Sequence, residues 1–239
     1  MNISTETDCC GLDEHHPLAE KFTVLKFLDG TSSMIPKGFF RDWLDRDVME
    51  THDGAFQIGK CSGLGVGSLA KYDGAVQSLK IGRYVSGGLR LKFLLNGQHE
   101  TKTISTYMFS VLNNGILNVA PPQYDDTVIK NDVWIGDEAL FLGGSVIENG
   151  CIIGARTVVP PNFRTEAYGV YAGSPARFIK FRFSDKVRAA LVALAWWELP
   201  LEWIKLHNSE FLHNLTEDEH QSLDIIERLK EGSLSFVRY

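Results

Sequence analysis

From Ile129 onward a large apolar residue returns at every sixth position, at Ile129, Ile135, Phe141, Ile147, Ile153 and Val159. The fifth position of each unit is restricted as well: Val133, Ala139, Ser145, Cys151 and Thr157 are small or β-branched, and Phe163 breaks the rule only in the last unit. A helix would repeat its apolar residues three and four apart and a sheet strand would alternate by two, so recurrence at six fits neither. Each short strand must be followed by a turn. A coil of triangular section meets both demands: each six-residue unit forms one flat side, three units close a turn, and the large first residue points to the axis. Parallel hydrogen bonds then stack successive coils about 4.8 Å apart. Gly136, Gly143 with Gly144, Gly150 and Gly154 fall near the corners, where side chains would crowd or φ must be positive.

Earlier, less regular coils are indicated by Ile58-Gly59, Leu64-Gly65, Ile81-Gly82, Gly87 and Phe93. Ile81 and Ile129 are 48 residues apart, a multiple of six. A loop over about 94–127 can therefore leave the coil and return in register, and long loops in compact domains are usually functional. Residues 1–20 are read as a polar, mobile N-terminal segment and 21–55, including a helical-looking Phe39 to Met49, as a cap on the lower end of the coil. The coil domain is assigned to 56–183 and a helical extension to 184–239. In that extension Ser184 is expected to cap a helix whose Val187, Leu191 and Leu194 share a face. Thr216 with Glu219 reads as a capping box, and Gly232 as the terminator of the last helix. The helices are expected to cover the upper end of the coil or a neighbouring subunit, with Trp196, Trp197 and Trp203 buried between them.

With 24 basic and 30 acidic side chains among 239 residues and a net charge of −6, the chain offers no overall electrostatic footprint for nucleic acid. The longest apolar stretches fall short of the roughly 20 residues a membrane span needs. Met1 to Glu14 lacks the apolar region of a secretory signal, so a cytoplasmic location is expected. Cys9, Cys10, Cys61 and Cys151 show no CxxC spacing and read as reduced, structural thiols.

The chemistry is sought in the excursion. His99 lies at its mouth, within Asn96-Gly97-Gln98-His99-Glu100 and ahead of Ile104-Ser105-Thr106-Tyr107-Met108-Phe109. An imidazole titrates near neutrality and can take a proton from a hydroxyl as that oxygen attacks an acyl carbonyl. GxSxG is absent and no cysteine sits beside a histidine, so a covalent acyl-enzyme has no support in the sequence.

These residues resemble the xenobiotic acetyltransferase branch of the hexapeptide-repeat acyltransferases, the group of the type B chloramphenicol and streptogramin acetyltransferases and their sugar-modifying relatives. Ser105, Thr106, Tyr107 and Phe109 match the branch's Ser-Thr-Tyr-Pro-Phe stretch, with Met108 in place of proline. Asn131 to Gly136 matches Asn-Asp-Val-Trp-Ile-Gly unchanged. Gly173, Ser174, Pro175, Ala176 and Arg177 correspond to Gly-Asn-Pro-Ala-Lys with two departures, and Trp196-Trp197 matches a Trp-Trp pair. The likeness covers roughly residues 56–205.

The resemblance implies a mainly β fold, a left-handed parallel β-helix of hexapeptide repeats with a loop excursion and C-terminal helices. It also implies acetyl-CoA as donor with no metal, a homotrimer with active sites between subunits, and His99 as general base. Trp134, Gly143, Gly144, Gly154, Arg156, Arg177 and Lys180 are the candidates for holding acetyl-CoA. Asn96, Tyr107, Asn113 and Tyr124 are the candidates for the acceptor, with Asn114, Gln123 and Asp125 as further polar loop groups. The expected reaction is O-acetylation of a sugar or glycan hydroxyl. Acetylation of an antibiotic hydroxyl or an amino-sugar nitrogen is the alternative, and an inactive interaction scaffold is the reading from another class. A γ-type carbonic anhydrase on the same fold would need three histidines on zinc; the remaining ones, at 15, 16, 52, 207, 213 and 220, all lie outside the repeat.

Overall fold

A computed structural model describes residues 22–27, 32–36, 48–51, 56–65, 67–72, 76–107, 109 and 124–236. The six-residue units wind into a coil with three parallel sheets as its faces. One face stacks Leu69–Lys71, Lys92–Leu94, Leu140–Leu142 and Val158–Val159. The second stacks Phe56–Gly59, Leu79–Ile81, Thr127–Ile129 and Val146–Ile147. The third stacks Ser86–Gly87, Trp134–Ile135, Ile152–Ile153 and Gly169–Ala172. At the lower end Phe22–Phe27 adds in parallel to the first face and Val48–Thr51 pairs antiparallel with Phe56–Gly59. Val48 and Met49 are thus strand residues, where a helix over Phe39 to Met49 was expected. The rest of that stretch, and the expected mobile segment 1–20, lie outside the described residues.

The axis is filled as the spacing predicts. Ile129, Ile135, Phe141, Ile147, Ile153 and Val159 have no exposed surface, and the fifth-position residues Val133, Ala139, Ser145, Cys151 and Thr157 are buried beside them. Phe93 and Phe141, partners in successive coils, stack with ring centroids 5.0 Å apart. Burying each such side chain contributes about 1.5–3 kcal/mol, so stability accumulates coil by coil. Trp134, one position before an axis residue, points outward.

The corner glycines serve both of the expected purposes, but positive φ is not theirs alone. The left-handed turn residues are mostly not glycine: Tyr84, Arg90, Asp132, Glu138, Arg156, Asn162 and Tyr168 all have φ between 53° and 62°. Rungs between coils hold them there, as when the Asp132 N–H donates to the Arg83 carbonyl and the Tyr168 N–H to the Asn149 carbonyl. Gly144 and Gly150 also have positive φ, but Gly136 and Gly143 are required by close approach: a Cβ would lie 2.4 Å from the Ala155 nitrogen and 2.3 Å from the Leu95 oxygen respectively.

After the coil, Arg177–Phe181 folds back antiparallel on Gly169–Ala172. Among the described residues four α-helices follow, α1 (Asp185–Leu194), α2 (Leu201–Leu206), α3 (Asn208–Phe211) and α4 (Glu219–Phe236), with a short 3-10 helix at Trp196–Glu198 between the first two. Ser184 caps α1 as expected, accepting from the Val187 N–H. At α4 the cap is Asp218, whose carboxylate accepts from the His220 and Gln221 N–H groups, rather than Thr216; the helix runs through Gly232 to Phe236, because a single glycine costs a helix interior only about 1 kcal/mol. Val187, Leu191, Leu194, Trp203, Ile225, Ile226 and Leu229 form a second core that shares Tyr168 with the coil. Trp197 and Trp203 are buried, and Trp196 packs 4.7 Å from the Tyr84 ring. Tyr84 and Tyr168 stand in one corner column, and the helices lie along it.

Candidate active site

The excursion begins after Leu94 and rejoins the coil at Thr127, with Lys80 paired to Val128 and Leu94 to Leu142 in unbroken register. Its neck is closed by Gln77, whose side-chain amide donates to the outgoing Leu95 carbonyl at 3.2 Å and the returning Tyr124 carbonyl at 3.0 Å. Asp126 adds a second clasp, accepting from the Ser78 N–H and from Lys80, each at 2.7 Å. Burial opposes ionisation of Asp126, but these bonds prevail and hold its carboxyl below the usual range. Gly143 and Gly144 lie against Tyr124 and leave room for the neck.

From this neck the chain turns through Gly97, at φ +96°, directly over the Lys71 ammonium: a Cβ at Gly97 would sit 2.6 Å from Nζ. His99 emerges exposed two residues later. Its Nδ1 is 2.6 Å from the Thr106 carbonyl oxygen. A carbonyl can only accept, so in the neutral imidazole this bond places the proton on Nδ1 and the lone pair on Nε2. Thr106 is presented by a tight turn in which Thr103 Oγ1 donates to the Ser105 carbonyl at 2.8 Å and Ser105 Oγ accepts from the Tyr107 N–H at 3.1 Å. Beside it Tyr107 packs edge-on to Phe109 at 5.1 Å and remains about half exposed, and Ile104 is fully exposed. Asn96 Oδ1 is buried with no hydrogen-bond partner among the described residues.

The residues predicted from sequence fall into two groups. His99, Asn96, Tyr107, Tyr124, Gly143 and Gly144 gather around the excursion, at the corner between the first and second faces. Trp134, Gly154, Arg156, Arg177 and Lys180 lie on the third face or its corner with the first. Arg156 is engaged by Glu138 at 2.8 Å, and Glu138 also binds Arg90; Arg177 and Lys180 are exposed on the last hairpin. The chain therefore places its catalytic candidate and its candidate phosphate cations at different corners. Asn113, Asn114 and Gln123 lie outside the described residues. Sequence reasoning missed Gln77 and Asp126, which act through backbone atoms 18 to 48 residues away. It also missed the Thr106 carbonyl, since a backbone acceptor leaves no signature in side-chain identity.

Among the described residues no group of three or more His, Cys, Asp or Glu side chains is placed to hold a metal ion, and no helix is long and apolar enough to cross a membrane. Cys61 and Cys151 are buried free thiols.

Residues 126–161 match the family of bacterial transferase hexapeptide repeats (six repeats). The chain is 39% identical over 132 residues to a Lysinibacillus sphaericus protein named "Probable macrolide acetyltransferase", covering 53% of this chain and 72% of that one. It is 36% identical over 136 residues to an Escherichia coli chloramphenicol acetyltransferase, covering 54% and 64%. A Staphylococcus aureus virginiamycin A acetyltransferase is 36% identical over 151 residues, covering 61% and 68%. With the six-residue periodicity seen in both sequence and coil, these matches show that the chain belongs to the hexapeptide-repeat acyltransferases, in the branch of the chloramphenicol and streptogramin acetyltransferases, and that its coil is their left-handed parallel β-helix.

Proposed function

We propose that the protein is an acetyl-CoA-dependent O-acetyltransferase that acts on a hydroxyl of a sugar or glycan, with His99 as general base. The observation that carries this reading is the bond of the exposed His99 to the Thr106 carbonyl, which selects for the neutral ring the tautomer whose lone pair is on Nε2. As the acceptor oxygen attacks the thioester carbonyl, Nε2 takes its proton. The tetrahedral adduct then collapses, the carbon–sulfur bond breaks, and the imidazolium returns the proton to the departing thiolate. No group on the chain needs to be acylated.

The two separated groups of site residues support a homotrimer. If each active site forms between subunits, the excursion of one protomer meets the third face of its neighbour, and His99 is brought to Trp134, Gly154, Arg177 and Lys180. The glycine corners let a pantetheine arm approach the coil backbone, and Arg177 and Lys180 offer charge to the nucleotide phosphates. Arg156 is the weaker candidate, being already paired with Glu138. On the acceptor side the exposed Tyr107 ring is a platform for the apolar face of a pyranose.

A hydroxylated antibiotic is the second reading, favoured by the names of the relatives and by the exposed Ile104. The deciding experiment is a thiol-release screen with acetyl-CoA against sugars, nucleotide sugars, oligosaccharides and hydroxylated antibiotics. Turnover with a saccharide hydroxyl is expected; turnover confined to antibiotics would replace the first reading with the second.

A further inference from the structure

Away from the excursion, where the helices meet the corner column of the coil, the fold forms a half-open cavity of about 310 Å³. That is within the range of small-molecule sites, and larger than one or two waters occupy. Its walls are of two kinds. Leu191, Ile226 and Leu229, from α1 and α4, make an apolar side, while Tyr168, Asp132, Arg182 and His213 supply a polar end.

The polar end is built rather than incidental. Tyr168 is 1% exposed, yet its hydroxyl has no hydrogen-bond partner among the described residues, and the same holds for the buried Nε2 of His213. The phenol is set in place by the coil: its ring lies across Gly150, where a Cβ would come within 2.3 Å of Cε1. Arg182 is fixed above it, with its guanidinium 5.4 Å from the Tyr168 ring and 5.0 Å from Phe183, bonded to the Gly150 carbonyl and 3.5 Å from the Asp132 carboxylate. A buried donor and a buried ring nitrogen left unpaired are a cost that a ligand would remove.

The charges narrow the chemistry. Asp132 and Glu210 set two carboxylates in the lining against the one guanidinium of Arg182, so an anion would meet both carboxylates and a cation the guanidinium, whereas a hydroxyl can both accept from the phenol and exchange a hydrogen bond with the imidazole. We infer that the cavity between the helical cover and the coil corner is a second binding site, for a neutral amphipathic small molecule with a hydroxyl head held by Tyr168 and His213 and an apolar body against Leu191, Ile226 and Leu229. Nothing in the acetyl-transfer reading requires it.

The test uses the full chain with 4-methylphenol as probe and toluene as its hydroxyl-free counterpart. Isothermal titration is expected to show one 4-methylphenol per protomer. Tyr168→Phe, which keeps the ring and removes one oxygen, is expected to weaken that binding about fivefold, the worth of one net hydrogen bond, and to leave toluene binding unchanged. Methyl NMR of the unaltered protein provides a reading independent of any variant: nuclear Overhauser contacts from the probe to the Leu191, Ile226 and Leu229 methyl groups are expected. Absence of 4-methylphenol binding at millimolar concentration, contacts to other methyl groups only, or equal affinity for the two probes with no effect of Tyr168→Phe would each overturn the inference.

Discussion

The Asp132 carboxylate and the Arg182 guanidinium stand 3.5 Å apart, close enough to attract but beyond good hydrogen-bond distance, at the corner where the coil meets its helices. Burial dominates this pair and pushes the Asp132 carboxyl up to about 6 from its ordinary 3.8, against the pull of Arg182. A group raised in the folded state stabilises it most when protonated, so this contribution is full below pH 4 and is lost as pH rises through about 6. Asn at 132 would keep the left-handed backbone, which asparagine tolerates well, and would not titrate. The folding free energy of Asp132→Asn relative to the parent is therefore expected to improve by about 1–3 kcal/mol between pH 4 and pH 7. Urea unfolding at a series of pH values measures it, and taking the difference cancels the other carboxylates; a difference independent of pH would refute the assignment.

His99→Ala removes the proton acceptor but none of the coil residues proposed to hold the donor. Turnover is expected to fall by about 10²–10⁴, the usual worth of a positioned general base. Acetyl-CoA affinity, followed by titration calorimetry, should stay within about twofold, since a base used only in the transition state contributes little to ground-state binding. Near-normal turnover in this variant would eliminate His99 as the base.

The coil was legible in the sequence because an axis residue and a fifth-position residue recur under a fixed geometric demand, and Ile129 and Val133 cannot trade places without leaving a void or a clash. His99 stood out for a related reason: its residue type carries chemistry and its neighbours form a motif. Gln77 and Asp126 were not legible, because a polar side chain that clasps the backbone of a distant strand looks locally like any solvated one. The N-terminal strand at Val48 was misread as helix for want of its partner Phe56–Gly59, whose edge decides the matter. The helices were found, but their seat along the Tyr84–Tyr168 column depends on contacts that no helical period encodes.

Helix α1 ends on a residue that a simple change should improve. Ala195 caps it in the left-handed conformation, φ 45° and ψ 48°, with its N–H bonded to the Leu191 carbonyl. A methyl group there costs about 1–2 kcal/mol, and glycine gives back part of the relief as unfolded-chain entropy. Ala195→Gly is expected to stabilise the fold by about 0.5–1 kcal/mol, read as a rise in the chemical-denaturation midpoint at unchanged slope. A lower midpoint would show that the cap is not strained.

Two glycines in the coil differ in how closely the neighbouring coil approaches them. Gly136 has an ordinary φ, yet a Cβ would sit 2.4 Å from the Ala155 nitrogen and 2.8 Å from its Cα, atoms of the next coil's backbone that ladder hydrogen bonds hold in place. At the equivalent point one coil on, a Cβ on Gly154 would meet the Ala172 Cβ at 3.1 Å, and every other neighbour lies at 3.5 Å or beyond. The first clash can be relieved only by parting two coils, which breaks rungs and opens the axis; the second needs a shift of a few tenths of an ångström near the end of the stack. Gly136→Ala is accordingly expected to cost about 2–4 kcal/mol and Gly154→Ala less than about 1 kcal/mol, although both replace a glycine with the same residue. Denaturation midpoints of the two variants give the comparison directly. Equal losses would mean that the spacing between coils adapts more readily than their register implies.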